Sequence, residues 1–288
     1  MLKTSTEIRS IANIVGYHRA VELVAKSGFD AWDFSLLAMM KYDWKNGVGI
    51  PNDHPLAGAE AYKYARELRR IGEDNGIVCN QSHAPYPTYC KEIADTYEKC
   101  LELTAEAGGK ICVIHPDNYK SAEENAEIFS RLLPTAKGCG VKIATENMWN
   151  WSNETRSASP AACSSPKSFL DHINAVNDEY LVACLDIGHA EMKGVDTSAV
   201  EMIEALGGHL QSLHIHDNNK KDDSHAIPFS MDIDFTAVAK ALKRVGYKGE
   251  LTLESVTHLN GYTAENVALG VKELADAAKR FALMVEEA

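Results

Sequence analysis

Hydrophobic positions along the chain follow two patterns that alternate from beginning to end. Short apolar runs such as AWDFSL, KICVIHP and YLVACLDIG have the composition of buried strands. Between these runs, apolar residues recur three and four positions apart, which is typical of helices that bury one face. Glycine follows several of the helical segments, as at Gly28, Gly76 and Gly140, where helices commonly end. The chain is therefore an alternation of predicted strands and helices.

Eight strand–helix units can be assigned in this way, with no linker between them. The predicted strands are TEIRSI, AWDFSL, IVCNQSHA, KICVIHP, VKIATEN, YLVACLDIG, LQSLHIHD and ELTLES. The predicted helices lie near residues 17–27, 56–75, 88–107, 122–138, 166–176, 196–206, 234–245 and 263–287. This repetition predicts an α/β protein, a single (β/α)8 TIM barrel that forms one domain over residues 1–288. A doubly wound sheet is the rival architecture, but no glycine-rich turn follows the first strand.

Two connections are longer than the others, and both follow predicted strands. They are residues 41–55 and 148–165. Connections after barrel strands lie at the mouth where active sites are built, and long loops there commonly form lids or substrate walls. We expect both segments to border the functional site.

The net charge and the cysteines of the chain indicate which binding partners and which cellular compartment to expect. Lysine and arginine number 29 against 41 aspartates and glutamates, which gives a net charge of −12. Such a field repels nucleic acids and anionic membranes, so we expect neither as a partner. The seven cysteines form no CxxC pair and no apolar signal segment is apparent, which predicts reduced thiols and a cytoplasmic location. Exposed barrel helices favour a homo-oligomer, either a dimer or a tetramer.

Six consecutive predicted strands end in an acidic residue or a histidine. In a barrel these ends converge on one cavity, where buried charges must be paired or neutralised, most simply by a metal ion. Three carboxylates and one imidazole from four adjacent strands would form the core of such a site and favour Mn²⁺, Mg²⁺ or Co²⁺, with Zn²⁺ or Fe²⁺ still open. These metal ligands are Glu146, Asp186, His214 and Glu254. Additional ligands, or groups for substrate hydroxyls, would be His83, His115, His189, Asp223 and His225.

An ordered set of short motifs carries a resemblance to a known family. The motifs are SHAPY (82–86), IHP (114–116), TEN (145–147), LDIGHA (185–190), HIHD (214–217), DSH (223–225) and LES (253–255). With them the chain resembles the xylose isomerase-like superfamily of sugar isomerases, epimerases and endonuclease IV-type enzymes. The resemblance implies that His214, and not His216, is the ligand. It also implies that the five additional positions match those completing a trinuclear zinc site in the nuclease branch.

One segment departs from the family pattern. Many members have a P-G-x-G turn where this chain has PFSM at 228–231. We therefore expect a differently shaped loop around Asp223 and His225. His216 is expected to support the site or to face the substrate, and Asp217 to orient an imidazole or a lysine at the mouth.

The leading functional hypothesis is a metal-dependent isomerase or epimerase of a small sugar or polyol-derived ketone. Glu146 and Glu254 would remove and return a proton next to the carbonyl, through an enediolate. The predicted substrate-binding residues are His189, His83 and Trp149, and further candidates for stacking on a sugar are Trp151, Tyr86 and Phe34.

Three other readings stay open at the level of sequence. A multi-zinc endonuclease IV-like phosphodiesterase would use all nine ligand-type positions, although the acidic chain lacks a basic rim for DNA. A keto-inositol-type dehydratase would use the same enolate chemistry. A non-catalytic sugar-binding barrel would be expected to have lost one glutamate of the pair, and this chain has both.

Overall fold

Eight parallel strands form the inner wall of the protein in the computed structural model, which describes residues 1–288. Strands β2 to β7 pair in chain order as one sheet, and β1 pairs with β8. Single bridges, Glu7 to Asp33 and Ile215 to Leu253, join the two sheets and close the ring. The predicted α/β barrel is confirmed. Its strands are β1 Thr4–Thr6, β2 Ala31–Ser35, β3 Val78–His83, β4 Ile111–Val113, β5 Lys142–Glu146, β6 Leu181–Asp186, β7 Leu210–His214 and β8 Leu251–Leu253.

Helices cover the outside of this ring, and a large hydrophobic core fills the space between the two layers. The longest central helix, α6, begins with a capping box between Ser121 and Glu124 and ends at Gly140 in the left-handed conformation. The helices are α1 Arg9–Val15, α2 Tyr17–Ser27, α3 Ala61–Asp74, α4 Lys91–Ala94, α5 Tyr97–Glu106, α6 Ala122–Cys139, α7 Pro166–Val176, α8 Ile187–Ala190, α9 Ala199–Leu206, α10 Phe235–Val245 and α11 Val267–Glu287. None of them combines the length and the hydropathy that a membrane-spanning segment needs.

Two predicted elements are wrong in their limits. The run TEIRSI is not one strand, because β1 ends at Thr6 and the Glu7 carboxylate accepts the backbone N–H of Ser10 as α1 begins. The helix predicted over residues 88–107 is two helices, α4 and α5. Thr96 interrupts it, since its hydroxyl donates to the carbonyl of Ile93 and competes with the backbone hydrogen bonds.

Strand alternation explains why charged side chains point into the barrel. Ala144 and Cys184 belong to a small buried cluster that is separate from the main core. Side chains two positions apart on a strand share a face, so Glu146 and Asp186 lie on the same side of β5 and β6 as this cluster. The charged residues therefore form the next layer of the interior toward the mouth.

The two long connections each contain a β-hairpin at the mouth. The first hairpin pairs Lys41–Asp43 with Val48–Ile50. The second pairs Trp149–Ser152 with Ser157–Pro160, and its Ala158 packs on Met192 and Val195 in the segment after α8. Both connections therefore have regular structure that holds their side chains in place.

Candidate metal centre and active site

Four side chains from the ends of four adjacent strands meet at the floor of the mouth. We call Glu146, Asp186, His214 and Glu254 the central quartet. One ligand atom from each lies within 4.8 Å of those from the other three. His214 Nδ1 is 3.2 Å from Glu146 Oε1 and 3.5 Å from Glu254 Oε2. The structure thus brings together the four residues that the sequence predicted as metal ligands.

The ends of β5 and β6 are tied together beside the quartet. The Asn147 side chain donates to the backbone carbonyl of Asp186 at 2.9 Å and accepts the backbone N–H of Asp186 at 2.8 Å. One oxygen of Asp186 accepts the backbone N–H of His189 at 2.7 Å, and the other has no hydrogen-bond donor. Asn147 therefore sets the position of Asp186, and one carboxylate oxygen stays available to a ligand.

A second group of ligand-type residues lies next to Asp186. We call His189, His216, Asp223 and His225 the side cluster. Asp223 Oδ2 is 3.2 Å from His189 Nε2 and 3.3 Å from His225 Nε2. The ring of His216 stacks on that of His225 at 3.9 Å, and its Nε2 is 3.1 Å from Asp186 Oδ1. The side cluster thus touches the quartet through Asp186.

Of the two roles left open for His216 by the sequence, the structure favours support of the site. His216 is fully buried and does not line the cleft, so it does not face a substrate. Gly188 explains how the ring fits, because a Cβ at that position would lie 1.9 Å from His216 Cε1. The glycine in LDIGHA is therefore required by the close approach of an imidazole.

Two further histidines complete the predicted set on the other side of Glu146. His115 Nε2 is 3.2 Å from Glu146 Oε2 and 3.1 Å from His83 Nε2. His83 also contacts the backbone carbonyl of Ala84 through Nδ1 at 2.8 Å. Glu146 thus connects the quartet to this histidine pair, and Asp186 connects the quartet to the side cluster.

The loop that carries Asp223 and His225 is held by Asp217 and Phe229. The Asp217 carboxylate accepts the backbone N–H groups of Met231 and Ile233 at 2.8 and 3.1 Å, so the expectation that it orients an imidazole or a lysine is wrong. Phe229 has a φ of 72°, where the family pattern has glycine. Its ring packs 4.9 Å from that of Phe235, and the Arg280 guanidinium lies 3.9 Å from its centroid.

The departure at 228–231 therefore does not remove the loop ligands. Backbone strain at Phe229 is offset by packing against α10 and α11, and Asp223 and His225 both reach the site.

Several polar atoms of the site are buried without a hydrogen-bond partner. They include Glu146 Oε2, Asp186 Oδ2, both ring nitrogens of His214, His216 Nε2 and Asp223 Oδ1. His115 Nε2 is close to Glu146 Oε2, but its direction is unsuited to a hydrogen bond. Buried polar groups are nearly always satisfied, and carboxylate oxygens with imidazole nitrogens are the donor set of a divalent cation. The residues present fit a metal ion at the central quartet.

Burial acts to lower the pKa of His214, but Cys184, Glu254 and Glu146 outweigh it and raise that pKa well above its usual value, so His214 must release a proton to bind a cation. Burial raises the pKa of Glu254 to about 7. Burial also acts to raise the pKa of Glu146, but His214 and His115 outweigh it and hold that pKa well below its usual range. Burial lowers the pKa of His83 to about 3, so this imidazole is neutral and can bind a cation.

A cleft of about 380 Å³ opens from the quartet to the surface. The predicted substrate-binding residues His189, His83 and Trp149 all line it, and so do Tyr86 and Trp151. Phe34 does not, because it is fully buried and packs against Trp32 at 5.4 Å between centroids. No lysine or arginine lines the cleft, which agrees with the acidic composition of the chain.

One residue that the sequence analysis missed lies behind the quartet. Asp33 Oδ2 is 3.5 Å from His214 Nε2 and accepts the side-chain amide of Gln81 at 3.0 Å. A carboxylate on the far nitrogen of a ligating histidine fixes the orientation of its ring. The signal was an aspartate in the middle of the otherwise apolar run AWDFSL, on the barrel-facing alternation of β2.

Comparison with known sequences places this geometry in a family. A family model described as xylose isomerase-like TIM barrel matches residues 21–280. An uncharacterized protein of Methanocaldococcus jannaschii is 28% identical over 258 residues, which cover 82% of this chain and 78% of that protein. The D-psicose 3-epimerase of Ruminiclostridium cellulolyticum is 21% identical over 272 residues, which cover 87% and 82% of the two chains.

Solved structures share the same fold. A D-tagatose 3-epimerase-like protein has a TM-score of 0.72 at 21% identity, with 99% of both chains covered. The IolI protein with a bound zinc atom has a TM-score of 0.70 at 17% identity, again with 99% of both chains covered. Because the family model matches nearly all of the barrel, the chain belongs to the xylose isomerase-like TIM barrel family.

Proposed function

We propose that the protein is a metal-dependent isomerase or epimerase of a small carbonyl-bearing sugar or polyol-derived ketone. The observation that carries this proposal is the placement of two glutamates. Glu146 is the last residue of β5, and Glu254 directly follows β8. Both nevertheless approach the same nitrogen of His214, and both line the open cleft. Two carboxylates that reach one substrate position from different strands can act on opposite faces of the reacting carbon.

Each residue has a role that follows from its contacts. The central quartet would hold a divalent cation, which when bound would polarise the substrate carbonyl and stabilise negative charge on its oxygen. One glutamate removes the proton next to the carbonyl, and the other returns a proton to give the isomeric or epimeric product. His189 lines the cleft beside Asp186, where its ring can contact a substrate hydroxyl, and Trp149 offers an apolar face to the sugar.

The relatives support this assignment. The matched relative from Ruminiclostridium cellulolyticum is a D-psicose 3-epimerase, and one similar structure is of a D-tagatose 3-epimerase-like protein. The structure of the IolI protein contains zinc, which supports a metal in this chain as well. The metal's identity, a cytoplasmic location and a dimer or tetramer stay predictions.

A second candidate is a multi-zinc phosphodiesterase of the endonuclease IV type. It is favoured by the presence of three adjacent groups of ligand-type residues: the histidine pair, the quartet and the side cluster. Glu146 contacts the histidine pair, and Asp186 contacts the side cluster. The lining of the cleft argues against it, since a phosphate backbone would require lysine or arginine at the rim. A keto-inositol-type dehydratase would use the same glutamates, one to remove the proton next to the carbonyl and the other to protonate a neighbouring hydroxyl that leaves the substrate as water.

The test is a hydrogen-exchange assay. The protein, loaded with Mn²⁺, is incubated in D₂O with a panel of free ketoses, and NMR follows deuterium incorporation next to the carbonyl together with the appearance of epimer or aldose. We expect wild-type protein to exchange and to isomerise at least one sugar. Glu146→Gln and Glu254→Gln should each lose more than about hundredfold in rate, because each removes one proton-transfer group.

Glu154→Gln is the matched control, because Glu154 is exposed on the second hairpin. Metal analysis should give about one ion per chain for an isomerase and more for a multi-zinc nuclease. The proposal is wrong if both glutamine variants keep sugar turnover while nicking of abasic DNA is lost. Loss of water from the substrate in the NMR spectrum would instead identify the dehydratase.

A further inference from the structure

The cleft extends beyond the reacting centre to a ring of exposed aromatic side chains. We call Trp44, Tyr89, Tyr119 and Trp151 the aromatic rim. They line the same cleft as Glu146 and Glu254. Their exposed fractions are 68% for Trp44, 46% for Tyr89, 76% for Tyr119 and 51% for Trp151. The inference below rests on the proposed function and extends it to the class of substrate.

The exposed aromatic side chains of this chain are concentrated around one cleft and are not scattered over the surface. The chain has 7 phenylalanines, 4 tryptophans and 11 tyrosines, and the rim contains every one of them that is exposed. Single exposed hydrophobic residues are normal on a soluble protein, but a concentration around one cleft marks a binding surface. The rim is therefore part of the site.

The rim is built on supported segments. Trp44 contacts Tyr42 at 4.8 Å between ring centroids, and Tyr42 contacts Tyr89 at 6.1 Å. Tyr89 in turn lies 5.9 Å from Tyr119, so contacting rings run from the first hairpin along one side of the cleft. Trp151 lies on the second hairpin, which packs on the segment after α8 through Ala158.

The chemistry of the lining limits what can occupy the rim. Asn118 and Asn150 line the same cleft, and the Asn118 amide donates to Asn150 Oδ1 at 3.3 Å. The acidic residues of the lining all belong to the quartet or the side cluster, and the lining has no lysine or arginine. Flat apolar faces with amide groups suit an uncharged sugar ring, and a phosphate group would lack the basic partners that it needs.

We infer that the aromatic rim is a second subsite, which stacks the non-reacting ring of a glycosidically linked substrate. The reacting carbonyl-bearing sugar lies at the central quartet, and the ring linked to it lies between Trp44 and Trp151. The preferred substrate is then an uncharged carbonyl sugar of disaccharide size, and neither a free monosaccharide nor a sugar phosphate.

The test uses sugars in which a glucose ring is linked to fructose. Maltulose and isomaltulose are compared with D-fructose by calorimetric titration into Glu146→Gln protein in saturating Mn²⁺, where the substituted amide oxygen can still bind the metal and turnover does not interfere. We expect at least one disaccharide to bind about tenfold more tightly than D-fructose, as expected from ring stacking. Trp151→Ala and Trp44→Ala should each reduce this preference several-fold, and Trp151→Phe should restore most of it.

The matched control is Leu269→Ala, which removes an exposed apolar side chain from α11. It should leave the ratio of the two affinities unchanged. The inference is overturned if neither disaccharide binds more tightly than D-fructose or if neither binds at all. It is also overturned if the tryptophan variants change the oligomeric state by sedimentation and leave the ratio unaltered, because the rim is then a contact between copies of the chain.

This test is separate from that of the proposed function. Hydrogen exchange on any sugar by wild-type protein decides whether the centre is an isomerase or epimerase. The affinity ratio in the glutamine variant decides the role of the rim, whatever the outcome of the exchange assay.

Discussion

The central quartet and the side cluster lie next to each other but carry opposite charge balances. The quartet has three carboxylates and one imidazole, so it has an excess of negative charge that needs a cation. The side cluster has one carboxylate among three imidazoles, and protons on the histidines can neutralise it without a metal. Burial acts to lower the pKa of His225, but Asp223 and Glu254 outweigh it and raise that pKa to about 10.

The two groups also differ in how the fold supports them. All four quartet residues end barrel strands or directly follow one, and strand alternation points them inward. Asp223 and His225 of the side cluster come from the loop before α10, which depends on Asp217 and Phe229 for its shape. This difference supports the proposal that the quartet is the metal site and that His216, Asp223 and His225 position Asp186 and His189.

The largest effect should come from His214→Ala, which would break the quartet. The substitution removes its nitrogen ligand and leaves Glu146 and Glu254 buried without the imidazole between them. We expect metal affinity to fall by more than about hundredfold, beyond the usual effect of a supporting residue. Calorimetric titration with Mn²⁺ and metal analysis after dialysis provide the measurement.

His209→Ala is the matched control, because His209 is exposed in the short segment that precedes β7. It should bind metal as wild type does. If His214→Ala retains wild-type affinity, the assignment of the metal to the quartet is wrong.

Gly188→Ala should have the next largest effect and acts through the side cluster. The added methyl group would lie 1.9 Å from His216 Cε1, so the ring must move and release its contact with Asp186. Overpacking of this kind costs about 1–3 kcal/mol in the free energy of unfolding. Urea denaturation measures that loss, and titration with Mn²⁺ should show a smaller loss of affinity than His214→Ala.

The control is Gly208→Ala, since a Cβ there meets no atom within 4 Å. Stability of Gly188→Ala equal to that of Gly208→Ala would mean that the imidazole is not packed against the glycine.

The pH dependence of stability should distinguish the side cluster, whose charges can be neutralised by protons on its histidines, from the quartet. Because the pKa of folded His225 is raised to about 10, its contribution to stability is complete below its unfolded pKa of about 6.5 and is lost as pH rises through about 10. In metal-free protein the free energy of unfolding should therefore fall between pH 7 and 10, by at most about 1.4 kcal/mol per pH unit from this group.

Asp223→Asn removes the carboxylate whose hydrogen bond contributes most to holding the proton on His225, so it should flatten this dependence. Denaturation of the two proteins in EDTA at several pH values measures the difference. Asp222→Asn, at an exposed neighbour, should behave as wild type. A profile for Asp223→Asn that parallels wild type would contradict the charge balance described above.

The smallest effect should come from Phe229→Gly in the loop that carries the side cluster. Glycine relieves the left-handed backbone, worth about 1–2 kcal/mol. It also removes the ring from Phe235, Phe281 and Arg280, and these contacts together outweigh the relief. We expect a net loss of about 1 kcal/mol in the free energy of unfolding.

Met231→Gly at the other family glycine position provides the contrast, because Met231 is exposed and has no positive φ to relieve. Stabilisation by Phe229→Gly would mean that backbone strain exceeds the packing of the ring.

Sequence alone gave a correct account of the strand-end residues for a simple reason. A strand has a period of two, and parallel barrel strands all end on one face of the barrel. These two rules predict that four residues lie close together: Glu146, Asp186, His214 and Glu254. Helix limits were also close where a cap or a terminal glycine marks them, as at Ser121 and Gly140 of α6.

The errors lie where side chains compete with the regular backbone pattern. Glu7 starts α1 where the composition predicted a strand, and Thr96 divides a helix that looked continuous. The role of Asp217 was wrong and that of His216 was left undecided for a related reason. Both follow the end of a strand, where the period of two no longer says which way a side chain points.

What the sequence determined by itself is thus the barrel and the set of residues that end its strands. Tertiary structure alone decided which neighbours they have: Asp33 behind His214, His216 against Gly188, and an aromatic rim drawn from four separate segments. The physical reason is that strand period and helix period are local properties of the chain. Contacts between loops depend on packing between residues far apart in sequence, as Phe229 against α11 illustrates.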